Sequence, residues 1–377
     1  MSNTNLISHD DLEMLLENKN NISMSIYMPT ESGDPKQCIV RLKNIIYQAE
    51  KKIIESGIYS SKIKESVLRP LNALIAQESF WKNLSEGLAI FASQDILEYY
   101  KLPIKFEEIV HINHNFYMKP LFPLFRGDSK FYILALGKKN IRLLLSEGAE
   151  IKEVYLSNMP HNFYDVNQDI ELQTENNQID EKILLQNFYQ INDSIADLFH
   201  RQNIPLLLAC DTEYCSIYKK ANSYHYLIEN IINADPDAFS AGELQQMAQQ
   251  ILDPISKESQ KNELNKFINA DYKNDEDKKT SHSIEEIVPS SYYGQIDTLF
   301  ITENTHQWGR FESGHNTIFL GTDERSEYID LIDFIAVKTY INGGKVYVLK
   351  KEEMPNNYNI TALLRYPLSM KTKVMVL

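Results

Sequence analysis

The chain has 377 residues, 43% of them hydrophobic and 24% charged, with a formal net charge of −14. That length makes two or three domains and the composition is that of a globular protein, while the acidic balance argues against a free-standing nucleic-acid binder, and against DNA as a partner, because phosphate recognition needs a basic surplus. No apolar run is long enough to span a bilayer, and the start, MSNTNLISHDDLEML, lacks the basic-then-apolar order of a signal peptide, so a cytoplasmic location away from membranes is expected.

In chain order, a short helix is expected over Asp10–Glu17 and a strand over Ile22–Met28, closed by the turn signal Pro29-Thr30. Asp34-Pro35-Lys36-Gln37 then opens a long helix: Asp34 can accept from an exposed amide, Pro35 suits the first helical position and Gln37 completes a capping-box pattern. Gly57 is placed to end it, and a second helix follows over about 61–77. Gly87–Phe91, Leu97–Leu102 and Ile109–Tyr117 read as strands. These elements form a mixed α/β domain over 1–126.

Phe131–Leu136, Ile141–Leu145 and Lys152–Leu156 are short strands separated by Gly137 and Gly148, the pattern of an antiparallel meander. Pro160–Asp180 is polar and without periodicity. In the next helix Leu184, Phe188, Ile191, Ile195 and Leu198 recur at three- and four-residue steps and make one apolar stripe. Pro205–Ala209 reads as a buried strand. Ser240-Ala241-Gly242-Glu243 caps a long helix, with a disturbance expected at Pro254. Strands, helix, buried strand and helix in this order fit a ribonuclease-H-like middle domain over 127–280. The charged segment Asp271–Ser283 reads as a linker. The last domain, 281–377, has a strand at Ile296–Ile301, a helix at Tyr328–Tyr340 ended by Gly343, a strand at Lys345–Leu349 and an apolar run at Thr361–Leu364; this order favours a parallel α/β sandwich.

Motifs for familiar chemistry are missing. Gly137-Lys138 has Tyr132 where a phosphate-binding loop needs glycine, and no G-x-G-x-x-G, G-x-S-x-G or H-E-x-x-H occurs. Cys38, Cys210 and Cys215 are too scattered for a disulfide framework and are expected as thiols. His111 and His114, three apart on a strand, point to opposite faces, and His306 and His315 have no cysteine nearby, so no metal site and no cofactor is expected. Asp211 and Glu213 follow the buried strand, where α/β sheets often place function; they form either a catalytic carboxylate pair or the acidic cap of the next helix. Arg41, Lys43, Lys51 and Lys52 on the long first-domain helix are candidates for facing RNA phosphates, or for a solvated face, since Glu50 and Glu55 interrupt them.

Several stretches carry a resemblance: SIYMPT (Ser25–Thr30), RLKN (Arg41–Asn44), FWKNLSEGLAIF (Phe80–Phe91), KFYILALGKKNIRLL (Lys130–Leu144), ANSYHYL (Ala221–Leu227), DTLFITENTHQWGRF (Asp297–Phe311), GGKVYVLKKEEMP (Gly343–Pro355) and ALLRY (Ala362–Tyr366). In this order they resemble the bacterial branch of the archaeo-eukaryotic peptide-chain release factor superfamily, which includes the eukaryotic termination factor and Pelota. The resemblance implies an N-terminal domain, a ribonuclease-H-like middle domain and a C-terminal domain similar to a kink-turn-binding ribosomal protein. It also implies action in or near the ribosomal A site, with the ribosome or its RNA, and a translational GTPase, as partners.

Peptide release in that superfamily depends on a Gly-Gly-Gln tip. Here the only adjacent glycines are Gly343-Gly344, followed by Lys345, and the only Gly-Gln is Gly294-Gln295; Pro160–Asp180, where the tip belongs, has no glycine. An Asn-Ile-Lys-Ser element for stop-codon reading is also missing. The expectation is a non-catalytic factor that occupies the A site of stalled or idle ribosomes, in rescue or hibernation. The alternatives are a hydrolase or nuclease using Asp211 and Glu213, and a protein-binding adaptor anchored by Trp308 and Phe311.

Overall fold

A computed structural model describes residues 7, 9–18, 20, 22–30, 34–82, 84–102, 104–125, 130–147, 150–156, 158–162, 181–199, 204–271, 278–322, 328–367 and 373–376. The architecture is mixed α/β and multidomain. One compact unit joins Met1–Arg126 to Asn262–Leu377, and a second is Gly127–Lys261.

The first unit begins with α1 (His9–Glu17), β1 (Ser23–Pro29), α2 (Pro35–Ser56), α3 (Ser61–Ile75), β2 (Gly87–Ser93), β3 (Leu97–Leu102) and β4 (Ile109–Asn113). The strands form an antiparallel sheet in the order β3-β2-β1-β4. The caps work as their residue types dictate: Asp34 Oδ1 accepts from Gln37 N at 3.1 Å, and Gly57 ends α2 at φ 65°, a left-handed geometry that glycine adopts without penalty. The buried face of α2, with Cys38, Leu42, Ile45, Ile46, Ala49 and Ile53, packs on Met24, Ile26 and Met28 of β1. Because strand side chains alternate, Ser25 and Tyr27 point to the other face. That face is buried too: the Tyr27 hydroxyl donates to Tyr117 O at 2.5 Å, and its ring meets Phe91 and Phe106 edge-on.

The second unit holds β5 (Lys130–Leu136), β6 (Ile141–Glu147), β7 (Glu150–Val154), α4 (Glu181–Phe199), β8 (Leu206–Ala209), α5 (Thr212–Ala221), β9 (Leu227–Ile232) and the start of α6 (Ala241–Asp271). The sheet order is β7-β6-β5-β8-β9, with β5, β6 and β7 antiparallel and β5, β8 and β9 parallel. Both faces are covered, which is why β5 and β8 are almost wholly apolar. Tyr132, Leu134 and Leu136 meet Leu184, Phe188, Ile191 and Ile195 of α4, while Phe131, Ile133 and Ala135 meet Leu244 and Ala248 of α6. Ser240 and Glu243 close the capping box that opens α6.

Two expectations are corrected in this unit. The long helix runs unbroken through Pro254; a proline forfeits one backbone hydrogen bond, and here the helical bonds around it carry the segment through. Cys210 and Cys215 are joined in a disulfide rather than standing as thiols. The turn from the end of β8 into α5 brings their Cα atoms to 5.8 Å, within bridging range. Cys38 lies outside the disulfide and is buried. Of the polar stretch Pro160–Asp180, positions 163–180 lie outside the described residues, as do 272–277 of the expected linker.

The rest of the first unit comprises β10 (Thr280–Ser281), α7 (Ile284–Tyr292), β11 (Ile296–Thr302), β12 (Trp308–Glu312), β13 (Thr317–Leu320), β14 (Ile329–Asp330), α8 (Leu331–Ile341), β15 (Lys345–Leu349), β16 (Ile360–Leu364) and β17 (Lys373–Val376). Two sheets form, β10-β16-β11-β15 and β14-β12-β13-β17. The first is not fully parallel as expected: β11 and β15 are parallel through the α8 crossover, but β16 runs antiparallel to β11. A parallel return needs a crossover of a dozen or more residues, and only ten, 350–359, separate β15 from β16. α8 starts at Leu331, three residues later than the periodicity suggests, because Asp330 takes the cap and accepts from Ile332 N at 3.0 Å.

Candidate functional site

Two places in the first unit combine charge with special geometry. The first is the outward face of α2. Counted along the sequence, α2 and α3 with their connection (35–75) carry eight basic and three acidic residues, in a chain of 38 basic and 52 acidic. This hairpin is therefore locally positive. Val40, Tyr47 and Ile54 recur every seven residues, so they line one side of the helix, and they are 57%, 69% and 58% exposed. Lys43 and Lys51 stand one turn either side of Tyr47 on that exposed side. Exposed aromatics among lysines are the chemistry that stacks bases and meets phosphates.

The four basic candidates do not act alike. Lys43, Lys51 and Lys52 are exposed, and Lys51 pairs with Glu55 at 3.6 Å. Arg41 turns back to the sheet: its Nε lies 2.7 Å from Glu108, and Nη1 donates to Pro29 O at 2.9 Å. It ties α2 to β1 and leaves the exposed face to the lysines.

The second place is a polar junction inside the same unit, where residues 111–119 meet 305–334. Asp333 is buried, and its Oδ1 accepts from Met118 N at 2.9 Å and Lys119 N at 2.6 Å. Burial, with the neighbouring Asp330 carboxylate adding to it, pushes Asp333 up to about 7. Lys119 is 3% exposed; its ammonium donates to Thr305 O at 2.6 Å and lies 4.0 Å from Asp330. Burial lowers the Lys119 pKa against the pull of the two aspartates. His306 Nδ1 sits 2.7 Å from Asp330 Oδ2. Burial above all, then Asp333, raises the Tyr117 and Tyr27 hydroxyls. Asn113 Nδ2 donates to Tyr328 O at 2.8 Å across the same junction.

Two histidines stack on Trp308. His111 and His306 both lie nearly parallel to it, with ring centroids 6.0 and 5.9 Å away. Considered singly, neither histidine has a ligand partner nearby in sequence, but the fold brings them to one indole. Trp308 and Phe311 are half-buried; Phe311 packs against Tyr292 and Phe334. His114 and His315 are exposed, away from this group. The signal that could have located the junction is the pair Asp330 and Asp333 in the apolar run Ile329–Ile335, since buried carboxylates are rare without a purpose.

Asp211 occupies the N-cap position of α5 with no side-chain cap bond, and Glu213 is exposed in the first turn of that helix. Among the described residues, no group of three His, Cys, Asp or Glu side chains is arranged to hold a metal ion. Among the described residues no helix is long and apolar enough to cross a membrane.

Residues 130–295 match the model of bacterial archaeo-eukaryotic release factor family 3. This segment belongs to the archaeo-eukaryotic release-factor superfamily. The chain is similar to three solved structures at low identity. An archaeal translation termination factor, aRF1, is 14% identical over 96% of this chain and 99% of its own, with a TM-score of 0.24. Dom34 of S. cerevisiae, described as a translation termination-like factor interacting with Hbs1, is 14% identical over 78% of each chain, with a TM-score of 0.35. Archaeal Pelota, from a model of its ribosome-bound state with ABCE1, is 11% identical over 72% of this chain and 73% of its own, with a TM-score of 0.37. No curated protein matches the sequence.

Proposed function

We propose that this release-factor-like protein is a non-catalytic, ribosome-associated factor that occupies the A site of stalled or idle ribosomes, in rescue or hibernation, and does not release peptide. The observation that carries the reading is the exposed, lysine-bearing face of α2 around Tyr47, a local positive surface on a chain of net charge −14. Electrostatic attraction to ribosomal RNA requires such a patch, because the remainder of the chain is repelled. The family match over 130–295 supports the same role, and the missing Gly-Gly-Gln argues against hydrolysis of peptidyl-tRNA. The sheet order of the second unit suits a ribonuclease-H-like middle domain, so the working domain plan is 1–126, 127–280 and 281–377, and a translational GTPase is a suitable partner. No contact around Asp211 and Glu213 favours the hydrolase reading over this one.

The test is sedimentation of lysates from growing and starved cells on sucrose gradients. The native protein is expected with ribosomal particles in at least one condition, and a Lys43→Glu, Lys51→Glu, Lys52→Glu variant is expected to move to the free fraction. Each lost phosphate contact lowers the salt slope by about 0.7 to 0.9. Native protein running free under both conditions would sink the reading.

A further inference from the structure

Beside the polar junction, α1, α7, α8 and the residues after β4 enclose a cavity of about 260 Å³. Its walls are largely apolar and aromatic, with Leu16, Tyr117, Tyr292, Phe334 and Val337 among them, and Asp333 lines it. A cavity of about 150 Å³ accommodates benzene, and sites for drug-sized ligands begin near 300 Å³. This one suits a single ring system with a short arm.

Asp333 gives the cavity its chemistry. The residue is nine-tenths buried, and while its Oδ1 takes two backbone amides, no described residue donates to its Oδ2. With no donor from the described residues, this oxygen is available to a ligand in the cavity that Asp333 lines. The neighbouring cations are engaged elsewhere. Lys119 donates to Thr305 O, His306 pairs with Asp330, His111 stacks on Trp308, and the Lys338 ammonium lies 5.8 and 5.9 Å from the Tyr292 and Phe334 rings. Asp330 is already saturated by Gln307 N, Ile332 N and His306. Asp333 Oδ2 is left as an anionic acceptor in a pocket that Asn115 and Lys338 also line, and the faces of aromatic rings themselves attract cations.

We propose that this cavity is a binding site for a small aromatic amine, whose ring lies against the aromatic wall and whose ammonium group is taken by Asp333 Oδ2. The site is independent of the ribosome reading, since it uses none of the α2 lysines. Because burial raises Asp333 to about 7, the acceptor is mostly protonated at pH 5.5 and mostly ionised at pH 8. Affinity for a cation scales with the competent fraction, so it rises roughly 30-fold over that range.

Calorimetric titration of the full chain with tryptamine, its neutral isostere 3-propylindole and the anion indole-3-propionate tests this. Tryptamine is expected to bind at least tenfold more tightly than 3-propylindole at pH 8, and the anion more weakly still. Its advantage should shrink toward pH 5.5, while the neutral ligand stays flat. Asp333→Asn should erase the preference for the cation, and Val337→Phe should fill the cavity and block all three. Equal affinities for cation and neutral isostere, tighter binding of the anion through Lys338, or no tryptamine binding at millimolar concentration would each overturn the proposal; the pH series on the unmodified protein decides the matter should a variant misfold.

Discussion

Replacing Asp333 by Asn isolates the energetic consequence of burying a carboxylate at the junction. The carbonyl of Asn can still accept from Met118 N and Lys119 N, so the geometry at Oδ1 survives, while the ionisable proton is gone. In the folded chain Asp333 rises from its ordinary 3.8 to about 7, first through desolvation and then through Asp330. The sign follows from a raised acid: the folded state binds the proton more tightly than the unfolded one. The stabilisation is complete below about pH 4 and is lost as pH climbs through about 7. A thousandfold change in proton affinity corresponds to about 4 kcal/mol, and since the side chain is buried, solvent screening does not reduce it. The unmodified protein should therefore lose about 4 kcal/mol more stability than Asp333→Asn between pH 4 and pH 8. Urea unfolding followed by tryptophan fluorescence is the assay, because both tryptophans, Trp81 and Trp308, lie in the first unit. Glu98, also raised by burial, is common to both proteins and cancels in the difference. Parallel stability curves for the two proteins would refute the reasoning.

Two further outcomes concern the second unit. Thiol labelling of the denatured, unreduced protein should find one reactive cysteine per chain, Cys38, and three after reduction; three before reduction would remove the Cys210–Cys215 bond. Reduction breaks a crosslink that closes so short a loop that its loss should cost only about 2 kcal/mol, read as a shift in the urea midpoint. Phe188→Ala empties a fully buried ring from the α4 stripe and should cost about 3–5 kcal/mol; a loss under 1 kcal/mol would mean that α4 does not pack as described.

Local physics made much of the fold legible. The α4 stripe, the Asp34 cap with Gly57 behind α2, and the Ser240–Glu243 box are short-range patterns whose causes lie within a turn of helix, and each element appears where those residues place it. The continuous apolar runs of β5 and β8 announced strands covered on both faces. Direction was harder to read. Whether β16 runs with or against β11 depends on the length of its connection, which periodicity does not encode. The disulfide is not legible in the sequence because a five-residue spacing becomes a bond only when the chain turns from strand to helix between the two cysteines.

The sequence by itself determined the helices apart from α7, the strands apart from β9, β10, β12, β13, β14 and β17, the family stretches and the local positive charge of α2 and α3, because each depends on neighbours along the chain. Only the tertiary structure decided which side chains share an environment. It turned Arg41 inward to Glu108 and Pro29, stacked His111 and His306 on one indole, and buried Asp333 against the amides of residues 118 and 119. The reason is that desolvation and Coulomb energy depend on distance through space, and residues around 111–119 and 305–334 become neighbours only when the two ends of the chain close on one another within the first unit.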